Sequence, residues 1–84
     1  MWKILGDGEI STPEQIVAFN LKRFRVAAGI SQEILAHRAG LHWTYISSVE
    51  RNQRNVSIRN IFKLAQGLRI DPRQLLTPLP EEES

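Results

Sequence analysis

The stretch SQEILAHRAGLHWTYISSVERNQR, residues 31–54, constrains the fold most, because it predicts two short helices joined at a glycine. Ser31 can cap the first helix with its hydroxyl, and Gln32 and Glu33 open that helix. Gly40 follows where the helix should end in a left-handed residue, which costs a residue with a Cβ about 1 kcal/mol or more. A second helix fits the residues from His42 to Arg51. The chain can therefore turn sharply between the two helices.

The second helix is predicted to have two different faces. Ile46, Val49 and Glu50 lie on one side, which we expect to face the core. The other side carries small polar side chains and one cation: Thr44, Ser47, Ser48 and Arg51. A major groove admits an α-helix, and hydroxyls can donate to or accept from any base edge. The stretch therefore favours a helix-turn-helix that reads DNA, with an ordinary helical hairpin in a small bundle as the alternative.

These residues also resemble a known family. SQEILAHRAG matches the Ser-Gln-Glu-x-Leu-Ala-x-x-x-Gly opening of the Cro/C1-repressor (XRE) type of helix-turn-helix protein. TYIS, followed by ERNQRNVS, is similar to the restriction-modification controller proteins within that family. The resemblance covers about residues 17–76. It implies an all-α, lambda-repressor-like DNA-binding domain of five short helices, with the helix-turn-helix at helices 2 and 3.

The resemblance implies direct roles in DNA binding for two sets of residues. Four residues fall where the family reads bases: Trp43, Thr44, Ser47 and Ser48. Five fall where the family contacts the phosphate backbone: Gln32, Arg51, Asn52, Arg54 and Asn55. Helix N-termini favour anions in any case, which suits Gln32. As alternatives, Gln32 is a capping polar residue and the hydroxyls are simply solvated.

His42 and Trp43 depart from the family, which commonly has an aspartate cap followed by an arginine. A tryptophan cannot make the bidentate bond to guanine O6 and N7 that an arginine makes. Two interpretations stay open: Trp43 packs on a thymine methyl or sugar edge, or it folds back into the core. His42 is expected to be a neutral cap, because a structural metal site needs about four ligands and the only other imidazole is His37. Ile34, where the family has an acidic residue, is expected to be exposed or to touch a partner.

Two further contacts are implied. The resemblance places Arg25 on the first helix opposite Glu50 on the recognition helix, which is the second helix of the helix-turn-helix. A homodimer is expected from apolar residues of the C-terminal third that a small domain would struggle to cover. This predicted dimer interface comprises Leu68, Ile70, Leu75, Leu76 and Leu79. The resemblance agrees, since members of the family dimerise through the end of the fourth helix and through the fifth helix. The resemblance also implies a palindromic operator, and it makes RNA polymerase a candidate partner.

The flanking residues support this domain. The sequence predicts an extended N-terminal arm (1–11), the DNA-binding domain (12–77) and a disordered acidic tail (78–84). A capping box at Thr12 starts a helix predicted to end at Gly29, and Ser57 and Asp71 start the last two helices. The first helix has a predicted core stripe of Val17, Leu21, Phe24 and Ala28, with Ile16, Phe19 and Val26 on another side. The fourth has Ile58, Ile61, Phe62, Ala65 and Leu68 at helical spacing, with Gly67 loosening its end.

Composition narrows the function. The net charge of the 84 residues is only +2. Residues 21–60, however, hold seven Lys and Arg against two Glu, a net +5, as expected for phosphate contact. The absence of cysteine, of any apolar run of about 20 residues and of a signal pattern suggests a cytoplasmic protein. Neither a cofactor site nor a catalytic constellation is predicted. The alternative function is a helical protein-interaction module or antitoxin-like adaptor whose DNA contact is secondary.

Overall fold

The computed structural model describes residues 4–5, 9–10 and 12–78. Five α-helices follow one another: α1 (Pro13–Ala27), α2 (Gln32–Ala39), α3 (Trp43–Glu50), α4 (Ile58–Leu68) and α5 (Pro72–Leu75). Before them, β1 (Ile4–Leu5) and β2 (Glu9–Ile10) pair antiparallel, with Ile4 opposite Ile10. The predicted five-helix fold is confirmed. The predicted acidic tail lies outside the described residues from position 79 onward.

The predicted helix starts are confirmed because the capping side chains are in place. Thr12 and Asp71 each form a capping box with the glutamine three residues later, and Ser31 and Ser57 accept backbone N–H bonds. Gly40 ends α2 with φ 70°. The predicted end of α1 at Gly29 is two residues too late, because Gly29 has φ 72° and already belongs to the turn.

The core lies where α2 packs against α3 and α4 while α1 packs against α3 and α5. Leu21, Leu35, Ile46 and Leu64 are fully buried there. Gly67, predicted to loosen the end of α4, has a different role. A Cβ at this position would lie 2.9 Å from Leu35 Cδ1 and 3.3 Å from the backbone nitrogen of Ala39. The glycine therefore allows α4 to approach α2 closely.

Several apolar residues lie on other faces than the sequence predicted. In α1, Ile16 is buried, although the sequence placed it on another side from the core stripe. Phe24 is half-buried and packs against the core as predicted, whereas Ala28, which follows α1, is exposed. In α4, Ile58 and Phe62 share the helical spacing of the buried residues, but they are exposed by 79% and 58%. The helix face toward α2 is already filled by Ile61, Leu64, Ala65 and Leu68.

The structure buries part of the predicted dimer interface in the core of the domain. Leu68 and Leu75 are buried in the core, and Ile70 is partly buried against it. Asn20 explains the burial of Leu75, because its Nδ2 donates to the carbonyl oxygens of Leu75 (3.0 Å) and Thr77 (2.9 Å) and holds α5 against α1. Leu76 is exposed as predicted, and Leu79 lies outside the described residues.

Candidate nucleic-acid interface

The outward side of α3 presents four side chains in one continuous surface. Trp43, Ser47 and Arg51 follow one another at four-residue spacing, and Thr44 lies beside them. We call Trp43, Thr44, Ser47 and Arg51 the α3 outer face. The opposite side of the helix is buried through Ile46 and Val49, as predicted. Packing of that buried side against α1 and α2 leaves the α3 outer face exposed at Trp43, Thr44 and Arg51 and half-buried at Ser47.

Ser48 does not belong to the α3 outer face. Its residue surface is only 9% exposed, and its hydroxyl donates to the backbone carbonyl of Tyr45 at 2.9 Å. The prediction that Ser48 lies on the outer side is therefore wrong, because one further step around the helix turns the side chain toward the protein. At 9% exposure, Ser48 lacks the accessible surface that a base contact requires.

The position of Trp43 excludes one of its two open interpretations. It is the first residue of α3 and 46% of its surface is exposed, so it does not fold back into the core. Its indole stacks on the His42 ring, with centroids 6.3 Å apart and an angle of 27° between the ring planes. The indole therefore stands at the N-terminal end of the α3 outer face. Ile34 on α2 is exposed as predicted.

His42 caps α3, as predicted. Its Nδ1 accepts the backbone N–H of Thr44 at 3.2 Å, and the Thr44 hydroxyl lies 2.8 Å from the same nitrogen. Because a backbone N–H can only donate, Nδ1 carries no proton, and the Thr44 hydroxyl donates to it as well. Thr44 is exposed, so its oxygen lone pairs remain free to accept hydrogen bonds. Among the described residues, no group of three or more His, Cys, Asp or Glu could hold a metal ion.

The loop after α3 carries the basic residue Arg54. Its guanidinium lies over the Tyr45 ring, with Cζ 5.3 Å from the ring centroid. The Tyr45 hydroxyl in turn accepts a hydrogen bond from Asn60 Nδ2 at 3.0 Å. The predicted backbone contacts Asn52 and Asn55 are both exposed in the same loop. Sequence reasoning missed Tyr45 and Asn60, whose only signal was an aromatic residue followed by a basic loop.

A buried ion pair fixes α3 against its support. Arg25 on α1 donates from Nε and Nη2 to the two carboxylate oxygens of Glu50, at 2.5 and 3.0 Å. Gln32 Nε2 donates to Glu50 Oε1 at 3.0 Å, and Arg25 Nη1 donates to the Ile30 carbonyl at 2.9 Å. The hydrogen bond to Glu50 raises the pKa of Arg25 above its usual value. The predicted pair is present, and one amide hydrogen of Gln32 is engaged there.

Comparison with known proteins places these features in a family. A helix-turn-helix family model matches residues 21–75. The chain is 46% identical over 67 residues to the "Neisseria hypothetical transcription factor" of Neisseria meningitidis, covering 80% of this chain and 62% of that protein. It is 44% identical over 64 residues to the control protein C.SmaI of Serratia marcescens, covering 76% of each. The crystal structure of the restriction-modification controller protein C.AhdI from Aeromonas hydrophila is similar at a TM-score of 0.70 and 50% identity, covering 71% of this chain and 91% of that one.

Proposed function

Because this chain belongs to the helix-turn-helix family of DNA-binding regulators, we propose that it is a homodimeric transcription regulator of the restriction-modification controller kind. Its target is a palindromic operator in double-stranded DNA, bound in the cytoplasm. The named relatives are regulators, so catalysis forms no part of this function. None of the helices in the described part of the chain is long and apolar enough to cross a membrane.

The α3 outer face is the observation that carries this proposal. The major groove admits an α-helix, and the side chains along the outward side of that helix can then reach base edges. Thr44 offers an oxygen acceptor, which suits the amino hydrogens of adenine N6 or cytosine N4. Ser47 offers a hydroxyl on the same side of α3. Ser48 is buried and takes no part in base reading.

Phosphate contact is assigned to the exposed loop that follows α3. Arg51 and Arg54 supply positive charge, and Asn52 and Asn55 supply amide donors beside them. Stacking on Tyr45 limits the positions open to the Arg54 guanidinium, so less side-chain entropy is lost when it binds a phosphate. Gln32 can still offer its second amide hydrogen, since its first binds Glu50.

Dimerisation is assigned to one apolar surface of the C-terminal half. Ile58, Phe62 and Leu76 are all exposed and line one groove together with Val56 and Pro72. An exposed apolar patch of this kind usually marks an interface. A twofold pair would place two recognition helices about 34 Å apart, one DNA turn, in line with a palindromic site. This surface replaces the interface predicted around Leu68 and Leu75, which the core already buries.

Selection of bound sequences from a random duplex pool tests the function. We expect a palindromic consensus whose half-sites are one turn apart and whose affinity falls steeply with salt, since phosphate contacts release counterions. The alternative, a helical interaction module with secondary DNA contact, predicts no enriched sequence and weak binding to any duplex. Enrichment of a single half-site without symmetry would support DNA reading but contradict the dimer. The exposed Ile34 leaves room for a further protein partner, of which RNA polymerase is the candidate for a regulator at a promoter.

A further inference from the structure

Trp43 gives the α3 outer face a chemistry that its other members lack. Thr44 and Ser47 are small hydroxyl residues and Arg51 is a cation, whereas an indole is a large apolar ring with one N–H donor and no acceptor. In the major groove, the four base pairs differ mainly in donors and acceptors. The one apolar group there is the C5 methyl of thymine. An exposed indole on a recognition surface therefore has a single well-matched target among unmodified bases.

From this match and from the function proposed above, we propose that Trp43 is a specificity-determining residue that reads the C5 methyl of a pyrimidine in each half-site. Its place supports this role, because it precedes Ser47 and Arg51 by one and two helical turns on the same side of α3. A helix that brings Ser47 to a base edge brings Trp43 to a neighbouring base pair. The one donor of the indole can also reach thymine O4, which lies beside the methyl group.

The indole is held ready for this contact. The His42 ring lies beside it, with ring centroids 6.3 Å apart, and excludes some of its rotamers. His42 is itself fixed because Nδ1 accepts from both the amide and the hydroxyl of Thr44. A side chain that is ordered before binding loses little conformational entropy when it meets DNA. Almost half of the Trp43 surface is exposed in the free protein, so apolar area remains to be buried.

The magnitude of the effect follows from methyl burial. Removing one buried methyl group from water favours binding by a factor of about 4 at 25 °C. A twofold operator contains two such contacts, which gives a factor of about 15 in total. Cytosine methylated at C5 carries the same methyl group in the same position. Trp43 would therefore make binding respond to cytosine methylation at that base pair, although the N4 amino group of cytosine offers the indole no acceptor.

The experiment uses the operator recovered from duplex selection and removes methyl groups one symmetric pair at a time by replacing thymine with deoxyuridine. For the wild-type protein, we expect replacement of one symmetric thymine pair by deoxyuridine to lower affinity about 15-fold. Replacement of the other thymine pairs should have little effect. Trp43→Ala should bind the thymine and deoxyuridine operators equally. Ile34→Ala is the matched control, because Ile34 is an apolar residue of α2 with the same 46% exposure. This control should keep the full difference between the two operators.

A third operator, with 5-methylcytosine replacing that thymine pair, is compared with the same operator carrying cytosine. A gain in affinity from methylation that disappears in Trp43→Ala shows that the methyl group itself is read. No gain contradicts the response to cytosine methylation and leaves thymine as the only base read by Trp43. Wild-type protein that binds thymine and deoxyuridine operators equally at every pair overturns the role of Trp43 and leaves the proposed regulator intact. An equally large affinity difference between the thymine and deoxyuridine operators in Trp43→Ala also overturns the role of Trp43. Absence of any selected operator overturns both proposals.

Discussion

Arg25 on α1 and Glu50 at the last residue of α3 form a two-point ion pair, with the Glu50 side chain only 4% exposed. A carboxylate at a helix C-terminus is opposed by the helix dipole, so this position is unfavourable without a cation. Gln32, the first residue of α2, donates to the same carboxylate. One buried carboxylate thus connects α1, α2 and α3, and it sets how the α3 outer face is presented.

Arg25→Ala should lower the free energy of unfolding by about 3 to 5 kcal/mol, because it leaves the buried Glu50 charge with only an amide donor. For a domain of this size, that loss lowers Tm by more than about 10 °C in thermal melts followed by circular dichroism. Arg59→Ala removes the same side chain from an exposed position on α4 and should leave Tm nearly unchanged. Equal melting of the two variants would show that the ion pair contributes little.

Arg54→Ala should weaken binding by similar factors on the operator and on random duplex, because phosphates carry no sequence information. The slope of log K against log salt should become shallower by about 0.9 for each phosphate that the variant no longer binds. Arg73→Ala, which removes an arginine bound to Asp71 on α5, should leave the slope unchanged. A loss confined to the operator would instead assign Arg54 to a base edge.

Thr44→Val keeps the shape of the side chain and removes its oxygen acceptor. It should cost about 1 to 3 kcal/mol on the operator and little on random DNA, as for any base contact. Ser48→Ala is the contrasting variant, since its buried hydroxyl bonds to the Tyr45 carbonyl. We expect its operator preference to match that of the wild type. Titration of each variant against both duplexes measures the difference, and a specific loss in Ser48→Ala would return that residue to the interface.

Phe62→Lys should convert the dimer to monomers in sedimentation at tens of micromolar, because a charge in the apolar patch with Ile58 and Leu76 would be desolvated on association. Tight operator binding should disappear with it while weak binding to any duplex remains. Phe19→Lys is the control, since Phe19 on α1 is 50% exposed but lies away from that patch. Leu75 is unsuitable for this test, because it is buried in the core. Wild-type monomers that still bind a palindrome tightly would contradict the dimer.

Helix caps and turns could be predicted from the sequence. Helix starts at Thr12, Ser31, Ser57 and Asp71 were predictable because each cap bonds an amide two or three residues away. The turn at Gly40 was predictable because a left-handed residue strongly favours glycine. The Arg25–Glu50 pair joins residues far apart in the chain, and only the resemblance to a family pointed to it.

The sequence by itself determined where helices begin and which stretches are apolar, since both depend on neighbours within one or two turns. Only the tertiary structure decided which apolar residues are covered. Leu75 is buried because Asn20 holds α5 against α1, whereas Phe62 stays exposed because other α4 residues already fill the face toward α2. Ser48 shows the same limit, because a hydroxyl suits either a base edge or a backbone carbonyl. Helical spacing orders side chains around an axis, but the packing of neighbouring helices determines how wide a sector of that circle faces solvent.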